Sequence, residues 1–208
     1  LFRSRGSVGQ RELFKFFDRD NETLVLRPDM TPAVARFVAK YHCDDPMPLR
    51  LCYLERTFKN NSSYQGRLKE RTETGAEMIG DDCADADAEM IAMVIDSLRA
   101  AGLQEFQVEL GQVEFYRSLV DEAGLDEETQ EALNHLIENK NNFGVEELLK
   151  DIPMDEGLKE LFLRLPGLFG SVEQIRGAAE LTGNPRALKA IGRLEEVHAI
   201  LAERGLAD

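Results

Sequence analysis

The sequence predicts an α+β fold, an antiparallel sheet with flanking helices, followed by an all-helical insertion or satellite region. Two observations carry this prediction. In the first half, stretches rich in β-branched and aromatic residues alternate with polar turns, as they do in hairpins. After about Val113 these strand signals stop, and short amphipathic segments follow that are separated by glycine and proline. We therefore predict an α+β core over residues 1–116 and a helical region over residues 117–208.

The first predicted elements are a hairpin and a helix. Leu13–Phe17 and Thr23–Leu26 are strand candidates on either side of a polar turn at residues 18–22. Thr31-Pro32 is a helix-start signal, because a hydroxyl caps a helix and proline suits its first turn. The helix then places four apolar side chains on one face at spacings of three and four: Val34, Phe37, Val38 and Tyr41.

A second, longer hairpin is predicted next. Leu49–Phe58 and Arg67–Ile79 are its strand candidates, and the loop between them, residues 59–66, is rich in asparagine and serine. This hairpin is the longest strand pair that the pattern indicates.

One more helix and strand precede the helical region. Asp85 is predicted to cap a helix over residues 86–101 that ends at Gly102. Phe106–Leu110 alternates apolar and polar residues and is predicted to be a further strand. From Glu127 onward the pattern is helical.

The charge of the chain restricts its partners. The 208 residues include 39 acidic and 25 basic side chains, for a formal net charge of −14. A field of that sign repels phosphate backbones, so a nucleic-acid interface would need a local basic patch. The densest basic stretch, Arg67 to Arg71, is interrupted by Leu68 and Glu70. We predict that the chain binds no nucleic acid.

Cysteine use and hydropathy bear on the compartment. The three cysteines have neither zinc-site spacing nor the pairing of a secreted disulfide framework, and Cys52 is predicted to be a core residue of a strand. No signal peptide and no apolar run of about 18 residues is present. These features predict a soluble, cytoplasmic protein. The acidic cluster at residues 81–89 lacks the spacing of a calcium loop, so no metal or cofactor is predicted.

Four polar residues are candidates for a small-ligand pocket. Asp29 and Thr31 lie between a predicted strand and helix, where pockets are common. Glu73 and Glu77 are an even number of positions apart on one strand and therefore share a face. Carboxylates can accept from an ammonium group or an imidazole N–H, which favours a cationic amino acid as ligand. The alternatives are that Asp29 and Thr31 only cap the helix, and that the two glutamates lie on a solvated sheet face.

Three segments carry a family resemblance through their order and spacing. They are Leu26-Arg27-Pro28-Asp29-Met30-Thr31-Pro32, the strand-loop-strand from Cys52 to Gly80 with Gln65-Gly66-Arg67 in its loop, and the N-terminal stretch from Arg5-Gly6-Ser7 to Phe14-Lys15-Phe16. This order resembles the catalytic core of histidyl-tRNA synthetase, a class II aminoacyl-tRNA synthetase built on an antiparallel sheet. The fold that the resemblance implies is a class II synthetase-like core.

The resemblance also implies a set of histidine-binding residues. Asp29-Met30-Thr31 matches the Glu-Gly-Thr loop that holds the α-amino group of histidine, and the hairpin from Cys52 to Gly80 matches class II motif 2. On that match, Glu77 keeps the family's glutamate and Glu73 stands where the enzymes carry glutamine. Lys59 stands where they carry the arginine that grips the ATP α-phosphate and the amino-acid carboxylate.

The lysine is the most consequential departure. Arginine presents a rigid bidentate fork to phosphate and carboxylate oxygens, whereas lysine is a flexible point charge. Stabilisation of a transferring phosphoryl group depends on preorganised donors. Glu73 also adds negative charge near the phosphates. A histidine pocket can survive both changes, but adenylate formation is not expected to.

The residues of Phe14–Asp20 and Leu26–Thr31 are closer to a non-catalytic branch of this family, the ATP phosphoribosyltransferase regulatory subunits. That resemblance implies a subunit without enzymatic activity, with the short-form ATP phosphoribosyltransferase catalytic subunit as partner in a hetero-oligomer. It also implies histidine as effector, in the first committed step of histidine biosynthesis, with neither membrane nor nucleic acid as partner.

Two other functions stay open on the residues alone. A catalytic fragment of histidyl-tRNA synthetase would need another arginine, such as Arg56 or Arg67, to replace the one absent at position 59. An amino-acid-binding scaffold with a different partner is the second. Because the family's motif 1 and motif 3 are not found, we expect the chain to be a fragment of a longer subunit.

Overall fold

The computed structural model describes residues 12–61, 66–168 and 170–207. They belong to two compact units, Leu1–Ala86 and Asp87–Asp208. The first unit holds the strands, and the second is helical among its described residues. The predicted α+β class is confirmed. The predicted division at residue 116/117 lies within a helix, Val113–Ala123, and stays a prediction about domain organisation.

The first hairpin is short. Strands β1 (Lys15–Phe17) and β2 (Thr23–Val25) pair antiparallel. Asp18 holds the turn, because its Oδ1 accepts the backbone N–H groups of Asp20 and Glu22, each at 2.9 Å. Aspartate commonly reverses the chain in this way. The predicted hairpin is confirmed, with strands shorter than residues 13–17 and 23–26.

The second hairpin has ten residues in each strand. Strands β3 (Leu49–Phe58) and β4 (Glu70–Ile79) pair without a bulge, from Leu49 opposite Ile79 to Phe58 opposite Glu70. In this register the odd-numbered residues of both strands share one face, which we call the odd face. On β3 the odd face is half-buried or buried and the even face is mostly exposed.

The register corrects the prediction for Cys52. This residue lies on the even face and is exposed, so it is not a core residue. Strand β3 has the bounds that the sequence predicts, whereas β4 begins at Glu70 rather than Arg67. Loop residues 62–65, including Gln65, lie outside the described residues, as do residues 1–11 of the N-terminal motif.

Two backbone hydrogen bonds join the hairpins of the first unit. The N–H of Phe58 donates to the carbonyl of Arg27 at 2.9 Å, and the N–H of Asn60 donates to the carbonyl of Glu12 at 2.8 Å. The chain leaving β2 therefore runs beside the end of β3. This path brings the segment from Arg27 to Thr31 to the long hairpin.

Helix α1 (Thr31–Tyr41) begins where the sequence predicts, but its cap differs. Met30 is the N-cap residue and makes no side-chain capping bond, so the predicted hydroxyl cap from Thr31 is wrong. Asp29 Oδ1 instead accepts the N–H of Thr31 at 3.0 Å. Of the predicted apolar face, Val38 is buried, whereas Phe37 and Tyr41 are exposed.

Helix α2 (Ala84–Ala100) begins two residues before its predicted start. Asp85 is therefore inside the helix and is not its cap. The sulfur of Cys83 accepts the N–H of Ala86 at 3.4 Å, which serves the same first turn. The predicted strand at Phe106–Leu110 is wrong for the described residues: its side chains alternate in exposure, but no described strand pairs with it.

Six helices and a short 3₁₀ turn (Leu165–Gly167) follow within the described part of the second unit. The helices are α3 (Val113–Ala123), α4 (Glu127–Glu138), α5 (Asn142–Leu149), α6 (Glu156–Arg164), α7 (Val172–Ala179) and α8 (Pro185–Glu203). Their shared core is fully buried at Leu119, Leu133 and Phe162, among others. Side chains cap five of them, from Gln112, Asp126, Asn141, Asp155 and Asn184. The predicted helical texture is confirmed.

Candidate functional site

The odd face of the long hairpin carries the two predicted glutamates. Glu73 and Glu77 lie on β4 on either side of Gly75, and their side chains share one face. Opposite them on β3 are Glu55, Leu51 and, facing Gly75, Tyr53. The two glutamates therefore flank a single aromatic residue of the neighbouring strand.

The first turn of α1 is tied to this face. The hydroxyl of Thr31 donates to Oε1 of Glu77 at 2.6 Å, across 46 positions of sequence. Asp29, one residue before the N-cap, accepts the N–H of Thr31. The structure thus brings Asp29, Thr31 and Glu77 together, as the predicted pocket requires. The capping alternative is correct for Asp29, which accepts a backbone N–H at the start of the helix. It is not correct for Thr31, whose hydroxyl bonds to β4 rather than to the helix.

Tyr53 is the residue that sequence reasoning missed. Its ring crosses over Gly75, so closely that a β-carbon on Gly75 would lie 2.3 Å from the tyrosine Cζ and Oη. Partial burial, together with the negative charges of Glu77, Asp29 and Glu73, raises the pKa of the Tyr53 hydroxyl above its ordinary value. The negative charge of three carboxylates therefore acts on one hydroxyl group. The sequence does contain a signal, a tyrosine in one strand and a single glycine in the next. That the two face each other can be inferred only once the register is known.

Two arginines accompany the glutamates, and neither was singled out from the sequence for this role. Arg71, the odd-face neighbour of Glu73, places its Nη2 3.7 Å from Oε1 of Glu73. Arg27 pairs with Glu55 and donates through its Nε to the carbonyl of Arg56 at 2.7 Å. These pairs are partly exposed, so their contribution to stability is small. Their effect on the site is to place a positive charge beside Glu55 and beside Glu73.

Lys59 lies at the opposite end of the odd face from Glu77. Its N–H donates to the carbonyl of Lys69 at 2.9 Å, which continues the hairpin beyond Phe58. It is four residues beyond Glu55, the partner of Glu73, or about 13 Å along an extended strand. Arg56, proposed as a substitute arginine, lies on the even face and pairs with Glu70 at 2.9 Å.

Met30 contributes packing rather than polar contacts through its side chain. It is 9% exposed, and its carbonyl accepts the N–H groups of Ala33 and Val34 at 2.9 and 3.0 Å. Of the six predicted histidine-binding residues, hydrogen bonds join Asp29, Thr31 and Glu77, and Glu73 shares the face of Glu77 four residues along β4. Met30 and Lys59 lie outside that group.

Other features of the described residues offer no competing site. Among the open depressions of the described surface, one of about 480 Å³ lies beside Arg56, Glu70 and Arg71, and another of the same volume lies among the helices beside Leu161 and Ala178. Neither is lined by the clustered carboxylates. Across the described ranges, no group of three or more histidine, cysteine or acidic side chains is arranged to hold a metal ion. No described helix combines the length and the apolar character that crossing a membrane requires.

Comparison with known proteins gives consistent relatives. The curated ATP phosphoribosyltransferase regulatory subunit of Ruminiclostridium cellulolyticum is 43% identical over 96% of this chain. A solved structure from Bacillus halodurans, described as an ATP phosphoribosyltransferase regulatory subunit/histidyl-tRNA synthetase, is 32% identical, covers 97% of this chain and has a TM-score of 0.85. The ATP phosphoribosyl transferase (HisG:HisZ) complex of Thermotoga maritima matches over 97% of this chain and 67% of its own, with a TM-score of 0.62 and 18% identity, which shows the fold alone.

The chain spans about half the length of the first two of these relatives, 48% and 52%. Within the chain, the match to the family is nearly complete, because the sequence profile of the family Histidyl-tRNA synthetase covers residues 1–207. The family profile and the solved relatives agree on one fold, that of the class II synthetases. The two hairpins and helix α1, which begins at Thr31, are consistent with it. The chain therefore belongs to the histidyl-tRNA synthetase family.

Proposed function

We propose that this chain is part of a regulatory subunit of ATP phosphoribosyltransferase and has no aminoacylation activity of its own. The observation that carries the proposal is the 43% identity, over nearly the whole chain, to a curated relative of that name. The solved relative at 32% identity, which bears the same name jointly with the synthetase, supports it. A role of this kind belongs to the first step of histidine biosynthesis and predicts a cytoplasmic location.

The proposed partner is the short-form catalytic subunit of ATP phosphoribosyltransferase, in a hetero-oligomer. The Thermotoga maritima protein that shares this fold is found in a complex of HisG and HisZ. The acidic balance of the chain, −14 overall, suits a protein partner better than a tRNA.

The proposed effector is histidine, bound at the carboxylate cluster of Asp29, Thr31, Glu73 and Glu77 or at the interface with the catalytic subunit. Its ammonium group and imidazole N–H are donors, and carboxylates accept from both. Tyr53 adds a hydroxyl and a flat ring at the centre of the cluster. Feedback then requires that histidine bind two states of the assembly with different affinity, typically by about 1–3 kcal/mol.

Lys59, where the enzymes carry an arginine, is evidence against adenylate formation. Attack on an α-phosphate needs a preorganised guanidinium to stabilise the charge, but position 59 is lysine, a flexible point charge. Arg56 cannot replace it, since it lies on the opposite face of the hairpin. These features favour the regulatory role over the synthetase fragment.

Two assays test the proposal together. The purified protein is mixed with a short-form catalytic subunit, and phosphoribosyl transfer is measured with and without it and with and without histidine. We expect co-purification, higher activity of the complex and inhibition by histidine. In parallel, histidine-dependent ATP–pyrophosphate exchange is expected to be absent. Clear exchange would establish the synthetase instead, and transfer that is indifferent to this protein would reject the regulatory role.

A further inference from the structure

Arg71 and Glu73 form an open ion pair on the odd face. Their nearest atoms are 3.7 Å apart, longer than the 2.7–3.2 Å of an N–H···O hydrogen bond. Their side chains are 47% and 34% exposed. The guanidinium and the carboxylate therefore lie side by side, and each keeps hydrogen-bonding capacity for another group.

This spacing suits a zwitterion. An amino acid carries its ammonium and carboxylate groups on the same carbon atom, so a site that binds both needs an anion and a cation as close neighbours. Glu73 belongs to the carboxylate cluster and can accept from the ammonium group. Arg71 lies one odd-face position further along β4 and presents the planar fork that matches a carboxylate.

Thr57 provides an independent observation at the same position. It lies directly opposite Arg71 in the hairpin, is 1% exposed, and its Oγ1 has no hydrogen-bond partner among the described residues. A buried hydroxyl without a partner is costly, and such a group calls for an explanation. A ligand oxyanion at this rung would supply the missing acceptor.

We propose that Arg71, with Thr57 as a second donor, binds the α-carboxylate of the amino-acid ligand. The inference rests on the histidine-binding role proposed above and changes two contacts that the family resemblance gives. The α-carboxylate moves from Lys59 to Arg71, and the α-ammonium group moves from Asp29-Met30-Thr31 to Glu73. Lys59 is one odd-face position further from Glu73 than Arg71 is. The ammonium and carboxylate groups of the ligand are then bound at neighbouring odd-face positions of β4. The other residues of the carboxylate cluster bind the ligand's side chain.

The test compares histidine with histamine, which keeps the ammonium and imidazole groups but lacks the carboxylate. Calorimetry on the wild-type protein is expected to show roughly tenfold weaker binding of histamine, the loss typical of one charge-assisted hydrogen-bonded contact. In Arg71→Met this preference is expected to disappear, because histidine affinity falls and histamine affinity does not. Thr57→Val is expected to reduce the preference in part, and Thr57→Ser to retain it.

Arg56→Met is the matched control. It removes the same charge from the same hairpin, but from the even face, where Arg56 pairs with Glu70. The assignment of Arg71 would be overturned if Arg71→Met still preferred histidine to histamine, or if Arg56→Met lost that preference equally. Either result would leave the histidine-binding role itself intact. If the folded wild-type protein binds neither compound, alone or with the catalytic subunit, the histidine-binding role itself is wrong. Circular dichroism of each variant verifies that it is folded.

Discussion

Thr31 and Glu77 are joined by a 2.6 Å hydrogen bond that runs from the first turn of α1 to strand β4. The bond fixes where α1 begins relative to the odd face. It also orients one carboxylate oxygen of Glu77 toward the helix and leaves the other for a ligand. Both residues are partly accessible, so the bond contributes little to stability, and its main effect is on the geometry of the site.

We expect Glu77→Gln to weaken histidine binding roughly tenfold with little change in melting temperature. Glutamine can still accept from Thr31, but it has lost the charge that attracts a cationic group. Calorimetry measures the affinity, and thermal unfolding measures the stability. Glu70→Gln, the same change on the even face of the same strand, is expected to bind normally. Unchanged affinity in folded Glu77→Gln would remove Glu77 from the binding site.

Gly75→Ala is expected to disturb Tyr53 rather than unfold the hairpin. The added methyl group would meet the free end of the ring at 2.3 Å, and that end can swing away from the strand. Once displaced from Glu77, Asp29 and Glu73, the tyrosine should titrate closer to its ordinary pKa. NMR of ring-labelled tyrosine measures the pKa of Tyr53, and calorimetry should show weaker histidine binding.

Gly111→Ala is the control for that substitution. A β-carbon on Gly111 has no neighbour within 4 Å among the described residues, so the change should leave binding intact. If Gly75→Ala left both the Tyr53 pKa and the affinity unchanged, the ring would not be part of the site.

Local patterns predicted most of the elements but not the contacts that assemble the site. The bounds of β3 follow from ten residues of strand-forming sequence, and the alternation of exposure within it follows from the period of two. Which residue of β4 faces Tyr53 depends on the register, which only the folded hairpin specifies. For that reason Glu73 and Glu77 could be placed on one face from sequence, whereas Tyr53 and Arg71 could not be placed beside them.

The errors have a related cause. Thr31 fits the local rule for a helix cap, but a carboxylate 46 residues away takes its hydroxyl. Phe106–Leu110 alternates apolar and polar residues as a strand does, but no described strand forms backbone hydrogen bonds with it. Cys52 has an apolar character that suits either face, and the register places it on the exposed one. In each instance, a long-range contact or its absence outweighed local propensity.

Asn184 is expected to stabilise the helical unit through two sets of bonds. Its Oδ1 caps α8 by accepting the N–H groups of Arg186 and Ala187, and its Nδ2 donates to the carbonyl of Ser118 and, at 2.7 Å, to Glu122 on α3. Asn184→Ala should lower the free energy of unfolding by about 1–2 kcal/mol, measured with urea. Asn184→Asp keeps the cap but places a second negative charge beside Glu122.

The aspartate variant separates the two roles. We expect its loss of stability to be largely relieved when Glu122→Gln is added, because the repulsion then disappears while the cap remains. If Asn184→Asp with Glu122→Gln were as unstable as Asn184→Ala, capping would not be what Asn184 contributes.

Tyr116 predicts how stability changes at alkaline pH. Burial raises the pKa of its hydroxyl to about 12, and Oη has no hydrogen-bond partner among the described residues. The folded protein therefore holds this proton more tightly than the unfolded chain, whose tyrosines titrate near pH 10. The contribution is complete below about pH 10 and is lost as the pH rises toward 12.

Tyr116→Phe deletes an unsatisfied polar group, so it should raise the free energy of unfolding at pH 7 by up to about 1 kcal/mol. Its stability should also fall less steeply above pH 10, although Tyr53 retains a smaller dependence of the same sign. Urea unfolding across this pH range measures both effects, with the exposed Tyr41→Phe as control. A Tyr116→Phe protein that is clearly less stable at pH 7 than the wild type would contradict the description of Oη as an unsatisfied group.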